Sequence, residues 1–436
     1  MSVGAGGLTN GRKTRVSAVD RRMISVPWKG QYTMRGIALA GCILTAVAFT
    51  ASGEAQGPPI RIGEINSYSG IAAGFTQPYR QAVEMAVAEV NARGGLLGRS
   101  VEVVFRDDKG NPAEAIKYAQ ELVVAEKVSL LAGTYLSNVG LAVSDFAKMH
   151  QTLFVAAEPL SEAITWSQGH RYTFRVRPNT HSQGRMLAER AAKLPHRKWA
   201  AIGPNYEYGR RAWETFWARL KELKPDVQVV GEHWPTLAKL EPGGYVTALL
   251  SQQPEALYIS LFGSDWLAFA REAGNRGLFQ KTFTVGILLG EPEYLDPLKL
   301  EAPEGMLVTG YPWYSITTPA HTAFVDRFTS RTGRHPVAGA LVGYVTFQSI
   351  FEAIRKAQTT DTERLVAALE ALKVETPIGP ITYRPFDHQS TMGAWVGTTR
   401  RDAARGVAVM SQWEYVAGER VLPSEAEVRR MRESGK

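Results

Sequence analysis

The 436 residues are enough for two domains at roughly 100–200 residues each. Apolar residues at 44% and charged residues at 21% exclude a disordered chain, and a single cysteine, Cys42, excludes an intrachain disulfide. The net charge of +8 does not mark a nucleic-acid binder, because it collects near the start: Arg12, Lys13, Arg15, Arg21, Arg22, Lys29 and Arg35 face only Asp20 there.

Residues 1–55 read as a leader. Lys29 and Arg35 precede the apolar run from Gly36 to Phe49, and Gly53 and Ala55 supply the small residues for cleavage after Ala55. The apolar run is short for a membrane span of about twenty residues. An uncleaved anchor, a lipid-anchored Cys42 behind Leu39-Ala40-Gly41, a twin-arginine signal at Arg21-Arg22 and a start at Met34 remain as alternatives. The expected location is the periplasm.

Ile60, Ile62 and Ile65 lie in a strand-like run that ends in the turn formers Ser67-Tyr68-Ser69-Gly70. Ala82, Met85, Ala86 and Val90 then recur at helical spacing, and Gly94-Gly95 and Gly98 stop that helix. Val101, Val103 and Phe105 mark a second strand. Strand, helix, strand predicts a right-handed βαβ unit, with residues 67–76 as a candidate binding loop at the strand's carboxyl end. Asp107 and Asp108 are adjacent, so their carboxylates diverge in a strand, and a turn role is expected rather than a metal or acid pair.

The alternation continues. A helix opens at Pro112, an apolar strand runs from Val128 to Gly133, a helical stripe follows Ser137, and a further strand spans Leu153 to Ala157. From Tyr172 the pattern resets, with strands near Tyr172, Trp199, Val227 and Ala256 and helices at Gln183 to Lys193 and Arg211 to Leu223. This predicts an α/β protein with parallel-sheet cores and helices on both faces. Leu307 to Tyr311 is expected to return the chain to the first lobe, and residues 324–332 and 341–357 to add helices there. Residues 424–436 predict a frayed, charged terminal helix.

The chemistry-bearing motifs favour binding over turnover. The sequence has no P-loop, no strand-borne G-x-G-x-x-G and no G-x-S-x-G elbow, and its eight histidines lack metal-ligand spacing. No cofactor or metal is expected. Ser137, at the start of an apolar-striped helix, can hold an anion or simply cap the helix. Asp265 follows a strand end, where it can hold a cationic group or act as an N-cap.

SYSGIAAGF, EVNARGGLLGR and FRDDKGNP resemble the first unit of the periplasmic branched-chain amino-acid binding proteins, the type I solute-binding proteins of ABC transporters. The likeness runs to about residue 416. It implies two Rossmann-like lobes joined by a three-crossing hinge, a small-molecule ligand, permease partners in the membrane and a monomer. The expected layout is a first lobe from residues 56–175 and 307–377, a second from 176–306 and 378–422, and a tail at 423–436.

The resemblance assigns Ser137 to the ligand's α-carboxylate, Phe75 to the pocket wall and Tyr208 to the facing lobe. Ala157 falls where the family has a small ligand-contacting residue. Glu158-Pro159-Leu160 departs from the threonine usual beside it, and Glu158 either points away or faces an ammonium or amide donor. Glu291 lies in the region of an acidic ammonium partner without aligning cleanly, and Tyr135, Trp313 and Tyr314 are further candidate walls. An amino acid is the first expected ligand, an aromatic acid the second, and an amide or urea-like solute the third. A ligand sensor that feeds no transporter is the alternative role, and a secreted α/β hydrolase the rival of a different class.

Overall fold

The computed structural model describes Pro27 and residues 57–434. The leader, its cleavage site and Cys42 lie outside the described residues. Residues 57–434 fall within a single compact unit.

The chain opens with β1 (Ile60–Asn66), α1 (Ala73–Ala92) and β2 (Val101–Asp107), the βαβ unit expected from the alternation of apolar runs. Next come α2 (Pro112–Gln120), β3 (Leu130–Gly133), α3 (Ser137–His150), β4 (Phe154–Ala156) and β5 (Thr173–Arg175). The five strands form one parallel sheet in the order β2-β1-β3-β4-β5. β3, β4 and β5 are buried throughout, as strands covered on both faces must be. At the end of β2, Asp107 accepts the Tyr68 and Lys109 N–H groups (3.0 and 2.9 Å), while Asp108 accepts the Gly110 N–H and the Ser67 hydroxyl (2.7 and 2.6 Å). The pair builds a turn.

The second sheet is assembled from α4 (Thr180–Ala191), β6 (Lys198–Ile202), α5 (Glu207–Leu223), β7 (Gln228–His233), α6 (Pro242–Gln252), β8 (Ala256–Ile259) and α7 (Gly263–Asn275). The short α8 (Leu278–Lys281), then β9 (Phe283–Gly290), α9 (Pro292–Leu298) and β10 (Leu307–Gly310) follow. β7, β6, β8, β9 and β10 run parallel in that spatial order.

Leu307–Gly310 therefore corrects the expected early return to the first lobe. Its apolar side chains are buried between β9 and a later strand, and it belongs to the second sheet. The return comes with α10 (Pro319–Thr332) and α11 (Ala338–Ala357), and α11 lies along α1. α12 (Thr362–Leu369) leads to a small antiparallel pair, β11 (Lys373–Val374) and β12 (Ile381–Thr382). The stretch around Ile381 was expected in the second lobe. Instead Tyr383 is fully buried edge-on to Phe174 of β5, with ring centroids 6.0 Å apart, which holds it to the first. β13 (Ala394–Asp402) and β14 (Val407–Val416) then add antiparallel strands to the second sheet beside β10. The last helix, α13 (Glu425–Ser434), docks rather than frays: Val428 is buried, and Arg432 donates to the Thr165 carbonyl at 3.0 Å.

The chain thus passes between the sheets after β5, after β10 and before β13. The first and third passages run side by side. The Arg175 N–H donates to the His388 carbonyl (3.0 Å), and the Ser390 N–H donates to the Arg175 carbonyl (2.9 Å). The Arg175 guanidinium, fully buried, donates to Gln389 Oε1 (2.6 Å) and Thr165 Oγ1 (2.9 Å). These bonds fix where the strand ends of the two sheets face each other.

The α1–α11 crossing is close because two glycines lie one turn apart. A Cβ on Gly339 would stand 2.2 Å from the Phe75 carbonyl oxygen, and one on Gly343 would stand 2.5 Å from that of Tyr79. Gly339→Ala is therefore expected to force the helices apart and to destabilise the fold by about 1–3 kcal/mol. Thermal unfolding checks this, and an unchanged midpoint would show that the crossing relaxes freely.

Candidate functional site

Carboxyl ends of strands from both sheets converge on one small cavity. The first sheet contributes Tyr135, Ser137, Glu158 and Leu160, and the second contributes Tyr206, Tyr208, Phe262 and Leu288. Arg177, from the passage after β5, lies between them. The cavity holds about 20 Å³, enough for a water and far below the roughly 300–1,000 Å³ of ligand pockets. This is a closed arrangement. Ser161 Oγ donates across it to Glu207 Oε1 (2.8 Å), Arg211 Nε donates to Glu162 Oε1 (2.6 Å), and the Ile71 backbone meets Gly263.

Arg177 is the centre of this site. Nη1 donates to Glu158 Oε2 at 3.0 Å, and Nη2 donates to Glu291 Oε1. Its guanidinium also lies over the Phe75 ring, 5.0 Å from the centroid. All three charged residues are buried, and each stands one or two residues beyond a strand: Glu158 after β4, Arg177 after β5 and Glu291 after β9. Each also directly precedes a proline, which favours extended backbone there. On the Glu291 side a second cavity of about 30 Å³ is lined by Pro178, Tyr311 and Trp395.

The candidate residues divide. Ser137 lies in the first turn of α3, where its Oγ accepts the Ser161 N–H (3.0 Å) and keeps its own proton to donate. Glu158 faces the cavity and not solvent. Tyr208, in the first turn of α5, brings a hydroxyl with no partner. Phe75 stands in the first turn of α1 and packs on Tyr135 at 5.2 Å, behind the lining. Ala157 is buried, and its N–H donates to the Gly133 carbonyl, so it supports the strand end without lining the cavity. Asp265 is neither N-cap nor lining. It sits in the first turn of α7, where its Oδ2 accepts the Ala238 N–H (2.8 Å) and pins that loop. Trp313 and Tyr314 line a different groove of about 470 Å³, with His335 and Arg405.

Arg177, Tyr206, Phe262 and Leu288 carried no reading from sequence. Leu288 has φ 70°, the left-handed region that leucine avoids. It stands where β9 and β10 lose register, and Thr309 Oγ1 accepts its N–H at 2.8 Å. The strain lies at the cavity wall, a placement common for functional sites.

Electrostatically the site is acidic. Burial pushes the Glu291 carboxyl up to about 7, against the pull of the Arg177 charge and hydrogen bond. Burial, then the Glu291 charge, pushes neighbouring Glu293 up to about 8. Burial likewise holds Glu158 well above the usual carboxylate range, with Arg177 opposing. For Arg177 itself, burial works against the charge, but Glu291 and Glu158 outweigh it and keep the guanidinium protonated.

Comparisons with known proteins agree with this architecture. The family model for "Periplasmic binding protein" matches residues 59–404. "Leu/Ile/Val-binding protein homolog 4" of Brucella melitensis biotype 1 is 22% identical over 375 residues, covering 80% of this chain and 86% of the relative. Among solved structures, an amino acid ABC transporter substrate-binding protein from Pseudomonas fluorescens Pf-5 superposes with a TM-score of 0.75 at 21% identity, covering 86% of this chain and 99% of that one. A solute-binding protein of an ABC transporter from Rhodopseudomonas palustris BisB5, in complex with 3,4-dihydroxybenzoic acid, gives 0.74 at 20% identity, with coverages of 82% and 98%. The chain belongs to the periplasmic binding protein family.

A raised carboxylate stabilises the closed form while protonated, below its ordinary value of 4.5, and loses that contribution as pH rises through about 7. Glu291→Gln removes this titration. The stability of the variant relative to the wild type should therefore rise between pH 5 and pH 8, by up to a few kcal/mol. Denaturant unfolding at both values reads the difference, and a pH-independent gap would place the Glu291 carboxylate in contact with solvent.

Proposed function

We propose that the protein captures one small solute, unchanged, in the cleft around Arg177 and presents it to a membrane permease outside the cytoplasm. The first lobe is built from residues 57–175 with about 319–392 and α13, and the second from about 180–310 with 394–416. The carrying observation is that Arg177 pairs at once with Glu158 beside the first sheet and Glu291 beside the second. A group that touches both halves responds to anything placed between them, and that is what a ligand-driven hinge requires.

Loading follows from the geometry. With the lobes apart, the Ser137 hydroxyl and the N-terminal N–H groups of α3 offer donors from one side. Glu158 offers an acceptor beside them. Closure brings Tyr208, Tyr206 and Phe262 over the solute, so desolvated hydrogen bonds and aromatic contact supply the affinity. The family binds solutes without converting them, and the mechanism needs no cofactor. The relatives' names bring a branched-chain amino acid, and the structural neighbours an amino acid or a dihydroxybenzoic acid, as starting candidates.

A thermal-shift screen of small amino acids, aromatic acids, amines and amides is expected to find a solute that raises the midpoint by mass action. Ser137→Ala should weaken calorimetric affinity for that solute by about 1–3 kcal/mol, through one lost charge-assisted or neutral hydrogen bond. Unchanged affinity would remove Ser137 from the site.

A further inference from the structure

The cleft's charge is unbalanced. Glu158 and Glu291 are buried, Glu293 stands half-buried beside them, and Arg177 is the one guanidinium among the described residues that pairs with the first two. Both terminal nitrogens of Arg177 are already engaged, one on each glutamate. Even so, Glu158 Oε1, Glu291 Oε2 and Glu293 Oε2 are buried without a hydrogen-bond partner. Once ionised, these oxygens only accept, so a donor placed among them satisfies them and displaces the protons that burial holds there.

The remaining wall suits the same chemistry. Tyr135 and Phe262 have ring centroids 5.7 Å apart, Tyr208 and Phe262 5.7 Å, and Tyr206 and Tyr208 6.0 Å, so four rings form a continuous aromatic surface. Ring faces attract cations, and Phe75 already carries the Arg177 guanidinium on its own. A ligand carboxylate finds the Ser137 hydroxyl and the start of α3 but gains nothing from Arg177. To pair with Arg177 it must displace Glu158 or Glu291, leaving a buried carboxylate unpaired in an acidic pocket. A cation displaces nothing and supplies the missing donors.

We propose that this cleft selects a small organic cation, with an ammonium or amidinium head on the free oxygen of Glu158 and an apolar body against Tyr135, Tyr206, Tyr208 and Phe262. Glu291 and Glu293 add attraction from the far side of Arg177, and no carboxylate on the ligand is needed. The inference rests on the interlobe cleft being the binding site.

The test is calorimetry of the full chain with benzylamine and benzamidine against benzoate and leucine. Both cations are expected to bind at least tenfold more tightly than benzoate or leucine. Glu158→Gln should cost benzylamine at least tenfold and Glu291→Gln at least threefold, with folding verified by circular dichroism. A measurement that needs no variant is proton exchange, read in two buffers of different ionisation enthalpy. Near pH 7, benzylamine should release protons from the Glu158, Glu291 and Glu293 group, which faces Arg177, Tyr135 and Tyr208. Tighter binding of benzoate or leucine, proton uptake with benzylamine, or no binding of either cation at millimolar concentration would overturn the proposal. If benzoate or leucine wins and Tyr208→Ala abolishes its binding, the cleft stands and only the cation is wrong. If a probe binds and neither Tyr208→Ala nor Ser137→Ala affects it, the cleft itself is wrong.

Discussion

A guanidinium without water must be neutralised where it stands, and Arg177 is neutralised from two sides by residues of opposite halves of the molecule. Removing one partner from such a buried pair typically costs about 3–5 kcal/mol, because the charge left behind has nowhere to go. The distance between the sheets at this point is therefore set by ionic contact and not by apolar packing alone. The Ser161–Glu207 hydrogen bond and the Glu162–Arg211 pair lie between the same halves and reinforce the setting. Beneath the cleft, the fully buried Arg175 ties the first passage to the third through Gln389, while Thr165 anchors it from the side.

Closure without a solute carries an electrostatic cost of its own. Burial raises Glu158, Glu291 and Glu293 together, and one positive charge does not balance three carboxylates. Closure over these carboxyl groups is thus stabilised by protons, or by a suitable solute instead. Two states of near-equal free energy, biased by what enters between them, are the physical content of a binding protein's open and closed forms.

Much of this was legible in the sequence. Strand-helix alternation gave the parallel sheets, and the family likeness directed attention to Ser137, Tyr208 and the departure at Glu158. Asp265 misled because an acidic residue after a strand end reads the same whether it faces a ligand or, as here, a backbone N–H from Ala238. Leu307–Gly310 misled because a buried apolar strand does not announce which sheet it joins. Arg177 was invisible for a physical reason: its partners stand 19 residues before it and 114 after. One signal was nonetheless present. FVAAEP, FRVRP and ILLGEP each end a buried strand in a charged residue before proline, and those three pre-proline charges are the ones the fold brings together. A charge placed where the next residue blocks helix, at the carboxyl end of a buried strand, is aimed at the crevice.

The most direct measurement is the distance between the lobes in solution, with and without the bridging charge. Spin labels on Gln77 and Lys239, exposed residues of the first and second lobes, report it by pulsed dipolar spectroscopy in a Cys42→Ser background. At pH 8 and without solute, Arg177→Met should shift the distribution to longer distances than the otherwise unchanged chain, because unbridged carboxylates then face each other across the cleft. Superimposable distributions for the two proteins would contradict the claim that Arg177 holds the halves together.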